Sequence, residues 1–254
     1  MNDLGCIQHS PEWYAARLGM LTASKIAAAI TKRKRGEGDL AARRKLKLQL
    51  LSEIATGLTA DNFVSMSMQH GIENEPRARA EYEFRTGYSV EPCGLILHPE
   101  LKWAAASPDG YIAPDGLLEI KCPDTATHFE YIEQGAIPSE YIDQIDWQLA
   151  CAGPEIAWAD FVSFDPRVKN DDLKIFIVRR ERDDKAISEK EELAIAFMDE
   201  LTQLFEQIKR GAKGQTLESK LRESIRQARG KYSPDSELLI TPADVDPDWE
   251  REPA

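Results

Sequence analysis

Asp109, Glu119 and Lys121 fall in one short stretch, Ser107 to Pro123, which reads S-P-D-G-Y-I-A-P-D-G-L-L-E-I-K-C-P. Ser-Pro-Asp-Gly and Pro114-Asp115-Gly116 are turn-forming segments. They precede a short apolar strand, Leu117 to Cys122. Side chains two apart on a strand share a face, so Glu119 and Lys121 emerge side by side while Leu118 and Ile120 point the other way. Charges on an apolar strand are costly unless paired or bound to metal. Glu119 and Lys121 could simply pair with each other. If the hairpin carries Asp109 back to this strand, two carboxylates and a lysine meet at one point. That set suits metal-assisted phosphodiester hydrolysis. Carboxylates hold an oxygen-seeking Mg²⁺, and a lysine orients or deprotonates water and offsets phosphate charge.

Helices and strands must position these groups. Ser10-Pro11-Glu12 is a helix start, with a capping hydroxyl, proline at the first position and an acid in the first turn. This helix runs to about Leu18 and stops at Gly19, with Arg17 in its last turn. Thr22-Ala23-Ser24 is read as the cap of a second helix, Lys25 to Ile30. Asp39 is read as the cap of a third, Leu40 to Thr56, closed by Gly57. A charged fourth helix, about Ser67 to Arg85, is interrupted at Pro76, where it kinks or restarts. Alternating apolar residues predict strands at Val90–His98 and Trp103–Ala106, forming an antiparallel meander with Leu117–Cys122. Helices at Ala126–Gln134 and Ser139–Ala152 follow, then strands Trp158–Phe164 and Leu173–Arg180. A long amphipathic helix, Ala186 to Arg210, carries Phe197, Leu201, Leu204 and Phe205 on one stripe. The expected fold is α/β (α+β), a mixed central β-sheet flanked by helices.

The chain has 254 residues and a formal net charge of −12. That sum argues against indiscriminate binding to a polyanion, but the charge is unevenly spread. Residues 32–47 carry eight basic side chains and two acids, while much of the acid excess lies after residue 181. A basic patch on an acidic chain is consistent with DNA contact at one face or channel; a solvated helix face is the simpler alternative. Four scattered cysteines without a C-x-x-C pair do not suggest zinc. With no apolar run of membrane-spanning length and no secretory signal in the first residues, reduced thiols and a cytoplasmic location are expected. Residues 1–211 are expected to form one domain. Residues 212–254 are expected to hold a mildly basic helix, Thr216 to Arg229, and an extended or disordered acidic tail.

Taken together, W-Y-A-A-R-L-G with T-A-S-K-I, G-I-E-N-E-P-R-A-R, S-P-D-G, L-E-I-K-C-P, Y-I-D-Q-I-D-W-Q-L and F-D-P-R form an ordered series. Its order and spacing over residues 10–180 resemble the phage λ-type exonucleases, the YqaJ-like viral recombinase family of the PD-(D/E)XK nuclease superfamily. The resemblance implies that Asp109, Glu119, Glu75 and the main-chain carbonyl of Ile120 hold metal, two Mg²⁺ ions per site with Mn²⁺ able to substitute. It implies that Lys121 is the catalytic lysine and that Gln144 steadies the lysine or the scissile phosphate. Glu73 neighbours Glu75, and Gln148 lies one turn beyond Gln144 on the same face.

The resemblance also implies that Arg17, Ser24 and Ser107 bind a DNA 5′-phosphate. Arginine suits bidentate phosphate contacts, and Ser24 stands at a helix N-terminus that favours anions. Taken alone, Ser24 reads as a helix cap and Arg17 as a partner of the helix dipole. Trp13, Trp103, Trp147 and Trp158 read as core residues, with DNA stacking or strand separation as the alternative for an exposed one. The family implies a homotrimeric ring around duplex DNA, digesting one strand from the 5′ end and leaving a 3′ overhang. It implies a phage or prophage recombination setting in a bacterial cytoplasm, with a single-strand annealing protein as partner. Arg33, Lys34, Arg43, Arg44 and Lys47 are then candidates to line the DNA channel. Two rival readings are an endonuclease of the same superfamily and a non-catalytic module that binds DNA ends.

Overall fold

The structure is a computed structural model that describes residues 1–31, 39–59 and 66–211. Its centre is a five-stranded mixed sheet ordered β3 (Val90–Glu91), β6 (Gly110–Ile112), β7 (Gly116–Lys121), β8 (Trp158–Phe164) and β9 (Ile175–Glu181). Strands β7 and β8 are parallel and every other pair is antiparallel. The parallel pair needs a long crossover, supplied by helices α5 (Thr125–Gln134) and α6 (Ser139–Ala152). A second sheet is ordered β1 (Asn2–Asp3), β4 (Ile96–Leu97), β5 (Ala104–Ala106) and β2 (Leu21–Thr22). Helices α1 (Pro11–Ala16), α2 (Ala23–Ile30), α3 (Ala41–Thr56), α4 (Met66–Thr86) and α7 (Asp184–Gly211) complete the described fold.

The pleat of β7 divides the core. Leu117 faces a large apolar cluster with Phe161, Ile145, Trp147, Ile26 and Phe197, in which α6 packs against both sheets, α2 and α7. Leu118 and Ile120 face the opposite cluster with Val162 and with Ala78 and Tyr82 of α4. Glu119 therefore points to the α6 side, as the period-2 argument requires. No described helix is long and apolar enough to cross a membrane.

Several boundaries match local chemistry. Ser10 caps α1, accepting from Trp13 N at 3.2 Å. Gly57 ends α3 with φ 67°, a conformation glycine adopts without Cβ strain. Other expectations are corrected. The expected strand Val90–His98 is two strands in two different sheets, because Pro92 cannot donate to a ladder and the chain crosses over there. The single meander expected of Trp103–Ala106 and Leu117–Cys122 does not form: β5 lies in the second sheet, and the antiparallel neighbour of β7 is β6, Gly110–Ile112, which begins inside the expected Ser-Pro-Asp-Gly turn. Helix α4 runs through Pro76 without a break; ion pairs one turn apart, Glu75–Arg79 and Glu81–Arg85, brace it. Helix α2 starts at Ala23 with Thr22 as its N-cap, so Ser24 sits inside the first turn. Asp39 does not cap α3; Leu40 holds that position. The expected helix at 216–229 and the acidic tail lie outside the described residues.

Candidate active site

Asp109 stands where β6 begins. Its N–H donates to Leu118 O at 2.8 Å, and its Oδ2 accepts from Ile120 N at 2.6 Å. The side chain thus takes over the ladder where the strand pairing ends, which fixes the carboxylate against β7. Gly110 must follow it, because a Cβ there would lie 2.2 Å from Val90 Cγ1. Glu119 comes from the middle of β7 and is 1% exposed. Its Oε1 accepts from Lys121 Nζ and from Gln144 Nε2 at 2.6 Å, and its Oε2 accepts from Gln148 Nε2 at 2.5 Å. Lys121 Nζ lies 5.1 Å from the centre of the Tyr141 ring. Glu75, from α4, accepts from Arg79 Nη2 at 2.7 Å, and that same nitrogen donates to Asp109 O at 2.9 Å. Glu73 instead lies exposed and accepts from Gln69.

These charges strain against one another. Burial, then the charges of Glu119 and Glu75, hold the Asp109 carboxyl well above the usual carboxylate range. Burial, only partly offset by Arg79, and then Glu119 raise Glu75 as well. Burial alone would lower Lys121, but Glu119 and Asp109 outweigh it and hold the amine charged. Burial and the nearby carboxylates push the Cys122 thiol up to about 12, so it is a packing residue rather than a thiolate.

Among the described residues no three carboxylate, histidine or cysteine side chains converge as a preformed metal cage. The acids here are each held by a nitrogen donor, yet their mutual repulsion is what a divalent cation would relieve. Mg²⁺ takes one or two protein carboxylates and keeps several waters, so the oxygen-only donor set of Asp109, Glu119 and Glu75 fits it. Zinc favours sulfur and imidazole, and no cluster of such ligands forms among the described residues.

All three acids, Lys121 and Gln144 open into one cleft of about 510 Å³. Arg17, Ser24 and Ser107 line the same cleft. The Arg17 guanidinium stacks 3.8 Å from the centre of the Trp13 ring, and Trp13 Nε1 donates to Ser107 Oγ at 2.9 Å. Arg17 Nη2 donates to Thr22 Oγ1 at 3.4 Å, and Thr22 Oγ1 lies 3.5 Å from Ser24 Oγ. The pocket side chains are therefore preassembled around Trp13 and Thr22, beside the N-terminus of α2. A second lobe of about 320 Å³ shares Gln8, His9, Glu75 and Asp109 with the first.

From the sequence Trp13 reads as a core residue unless it is exposed to DNA. Its ring is indeed buried, but it also carries Arg17 and Ser107. Thr22 reads from the sequence only as part of a helix cap and Gln148 only as a weaker candidate beside Gln144, while nothing there singles out Arg79. Arg79 follows Glu75 by one helical turn within P-R-A-R, a spacing that puts both on one face. Gln144 was expected on the lysine or the phosphate; it grips Glu119.

The basic stretch divides. Arg44 is exposed on α3, whereas Arg33 and Lys34 lie outside the described residues. Arg43 and Lys47 are 2% and 4% exposed, which corrects their assignment to a channel wall. Both pair with Asp39 and with Glu200 of α7, and both lie over the Phe197 ring at 5.0 and 5.8 Å. Arg43 Nε also donates to Ala29 O at 2.8 Å. An arginine and a lysine in the interior need counter-ions, and Asp39 serves as one instead of as a cap.

No curated protein matches the chain significantly. An alkaline exonuclease from Laribacter hongkongensis is 42% identical, over 80% of this chain and 97% of that one, with a TM-score of 0.71. The same enzyme in complex with dAMP gives 43% identity, the same coverage and a TM-score of 0.72. A phage-related exonuclease from Haemophilus somnus 129PT shares the fold at 14% identity and a TM-score of 0.59, over 74% of this chain and 96% of that one. The model of the YqaJ-like viral recombinase domain matches residues 12–155, a span that holds every residue lining the larger cleft except Gln8 and His9. With more than half of its length in that match and relatives of this identity, the chain belongs to the YqaJ-like viral recombinase family.

Proposed function

We propose that this protein is a Mg²⁺-dependent 5′→3′ exonuclease that digests one strand of duplex DNA to mononucleotides and leaves a 3′ overhang. One observation carries the reading: a single cleft holds both the Asp109–Glu119–Lys121 cluster and the Arg17–Ser24–Ser107 cluster. An acid-and-lysine cluster beside an anion pocket can cut a set distance from a strand terminus. The 42% identity to an alkaline exonuclease supports the reaction class, and the dAMP complex of that enzyme is in keeping with a mononucleotide product.

Asp109, Glu119, Glu75 and the Ile120 carbonyl would hold the metal, which when bound supplies a more acidic water and neutralises charge on the phosphate. The chain's own groups do the rest. Arg17 and the two serines fix the terminal phosphate, so that the next phosphodiester lies at Glu119 and Lys121. Lys121, held charged by Glu119 and Asp109, orients the attacking water and a phosphate oxygen through its N–H donors. Gln144 donates to the Glu119 carboxylate and helps keep it fixed. Fixed donors in a part-buried cleft stabilise developing charge without reorganising.

We extend the proposal to a homotrimeric ring, to a single-strand annealing protein as partner, and to recombination by a phage or prophage in its host's cytoplasm. The family membership supports these three. The acidic composition of residues 232–254 is the ground for placing the partner's docking there; unchanged partner binding after deletion of that tail would refute the placement.

The deciding experiment measures nucleotide release from linear duplex DNA with Mg²⁺. It compares 5′-phosphorylated with 5′-hydroxyl ends, and wild type with Lys121→Ala. Rapid release of mononucleotides from phosphorylated ends, lost in the variant, is expected. Equal cutting of closed circular DNA would make the protein an endonuclease, and end binding without cleavage under any metal would make it a binding module.

A further inference from the structure

Gln148 is fully buried on α6, one turn beyond Gln144, and its Nε2 meets Glu119 Oε2 at 2.5 Å. Its Oε1 is buried as well and meets no donor among the described residues. A carboxylate offers only acceptors, so the amide must turn its nitrogen to Glu119 and its carbonyl into the protein. An apolar side chain of similar volume would fill this position without orphaning a carbonyl. The glutamine's presence is therefore explained by what its nitrogen does to Glu119, not by packing.

We propose that Gln148 is a positioning residue that fixes the plane of the Glu119 carboxylate for metal binding; this rests on the nuclease reading above. Lys121 and Gln144 both approach Oε1, while Gln148 holds Oε2 from another direction. With Gln148 in place the carboxylate cannot rotate to present both oxygens to Lys121. Without it, Glu119 turns toward the lysine and offers less to a cation. Groups that hold a ligand in orientation commonly matter 10- to 100-fold for metal affinity.

The test is Mn²⁺ affinity, measured by calorimetry on the full chain without DNA, for wild type, Gln148→Met and Gln148→Asn. Thermal melts and nucleotide release from 5′-phosphorylated duplex ends accompany it. Gln148→Met is expected to bind Mn²⁺ on the order of 10-fold or more weakly. Its release rate should recover at high metal, while its affinity for DNA ends stays unchanged. Gln148→Asn keeps the amide but falls short by one methylene, and should lie between the two. It also preserves the test if Gln148→Met does not fold. Equal Mn²⁺ affinity in all three, with only the melting temperature altered, would overturn the role while leaving the nuclease reading intact. A wild type that binds no Mn²⁺ and releases no nucleotide would overturn that reading and this one together.

Discussion

The indole N–H of Trp13 donates to the hydroxyl of Ser107 over 2.9 Å, and the same ring carries the Arg17 guanidinium 3.8 Å from its centre. One buried side chain thus joins α1 to the segment that leads into Asp109 and sets the distance between an arginine and a serine in the cleft. A tryptophan is needed for both jobs, since phenylalanine can stack but has no N–H to give. Trp13→Phe should leave the fold intact and free the Ser107 hydroxyl to rotate. A neutral hydrogen bond is worth about 1 kcal/mol, or roughly fivefold. We therefore expect the preference for 5′-phosphorylated over 5′-hydroxyl ends to fall several-fold, with cleavage of hydroxyl ends unchanged. Paired rate measurements on the two substrates check this; an unchanged ratio would remove Trp13 from the pocket.

Asp109 makes the opposite bargain between stability and activity. Its carboxyl is held well above its ordinary value by burial and by Glu119 and Glu75. A folded acid with a raised pKa binds more protons than the unfolded chain, so it costs stability above an unfolded value of about 3.9. Asp109→Asn keeps an oxygen for Ile120 N–H but carries no charge. In a metal chelator the variant should melt higher than wild type, by about 2–4 °C for each 1 kcal/mol relieved in a domain of this size. It should also lose nucleotide release and the stabilisation that added Mg²⁺ gives wild type. A melting temperature at or below that of wild type in chelator would show that the repulsion has no thermodynamic weight.

Much of this was legible in the chain because the decisive groups are local. The closeness of Asp109 to β7 and the alternation that puts Glu119 and Lys121 on one face of it are written in neighbouring residues. The parts that were misread are non-local. Arg43 and Lys47 sit in a run of basic side chains, and nothing near them in sequence reveals that Glu200, about 150 positions on, closes over them. The same holds for Trp13, whose apolar ring looks like core until Ser107, 94 residues away, meets its nitrogen. Strand β6 was hidden because Gly110-Tyr111-Ile112 lies between two turn signals and is too short for a period to show.

The buried cluster on α3 gives a third expectation. Glu200 neutralises Arg43 and Lys47 from α7, with Asp39 sharing the load. Removing one partner of a fully buried pair costs about 3–5 kcal/mol. Glu200 is 36% exposed and Asp39 remains, so solvent screening reduces this. Glu200→Gln should destabilise by about 1–2 kcal/mol in urea unfolding, while DNA-end affinity and its salt dependence stay at wild-type values. A reduced salt slope in Arg43→Met or Lys47→Met would restore these residues to the DNA surface.

Asp165 of the F-D-P-R motif braces, through Arg167, the chain just beyond the C-terminal end of β7, and it titrates in a way that can be followed. Burial alone would raise its carboxyl, but hydrogen bonds from the Arg167 side chain, the Thr125 hydroxyl and the Arg167 N–H outweigh it and bring the value down to about 2. Arg167 Nη2 also donates to Pro123 O at 3.0 Å, two residues beyond Lys121. A carboxyl depressed on folding stabilises at every pH above its unfolded value of about 3.9, and that contribution disappears as pH falls through about 2. A gap of nearly two units corresponds to about 2.5 kcal/mol, since each unit is worth 1.36. Asp165→Asn should therefore lose on the order of 2 kcal/mol at pH 7. The deficit relative to wild type should narrow steadily as the pH is lowered from 4 toward 2. Denaturant melts of both proteins across that range decide it: a deficit that stays constant to pH 2 would mean that Asp165 acts through shape rather than charge.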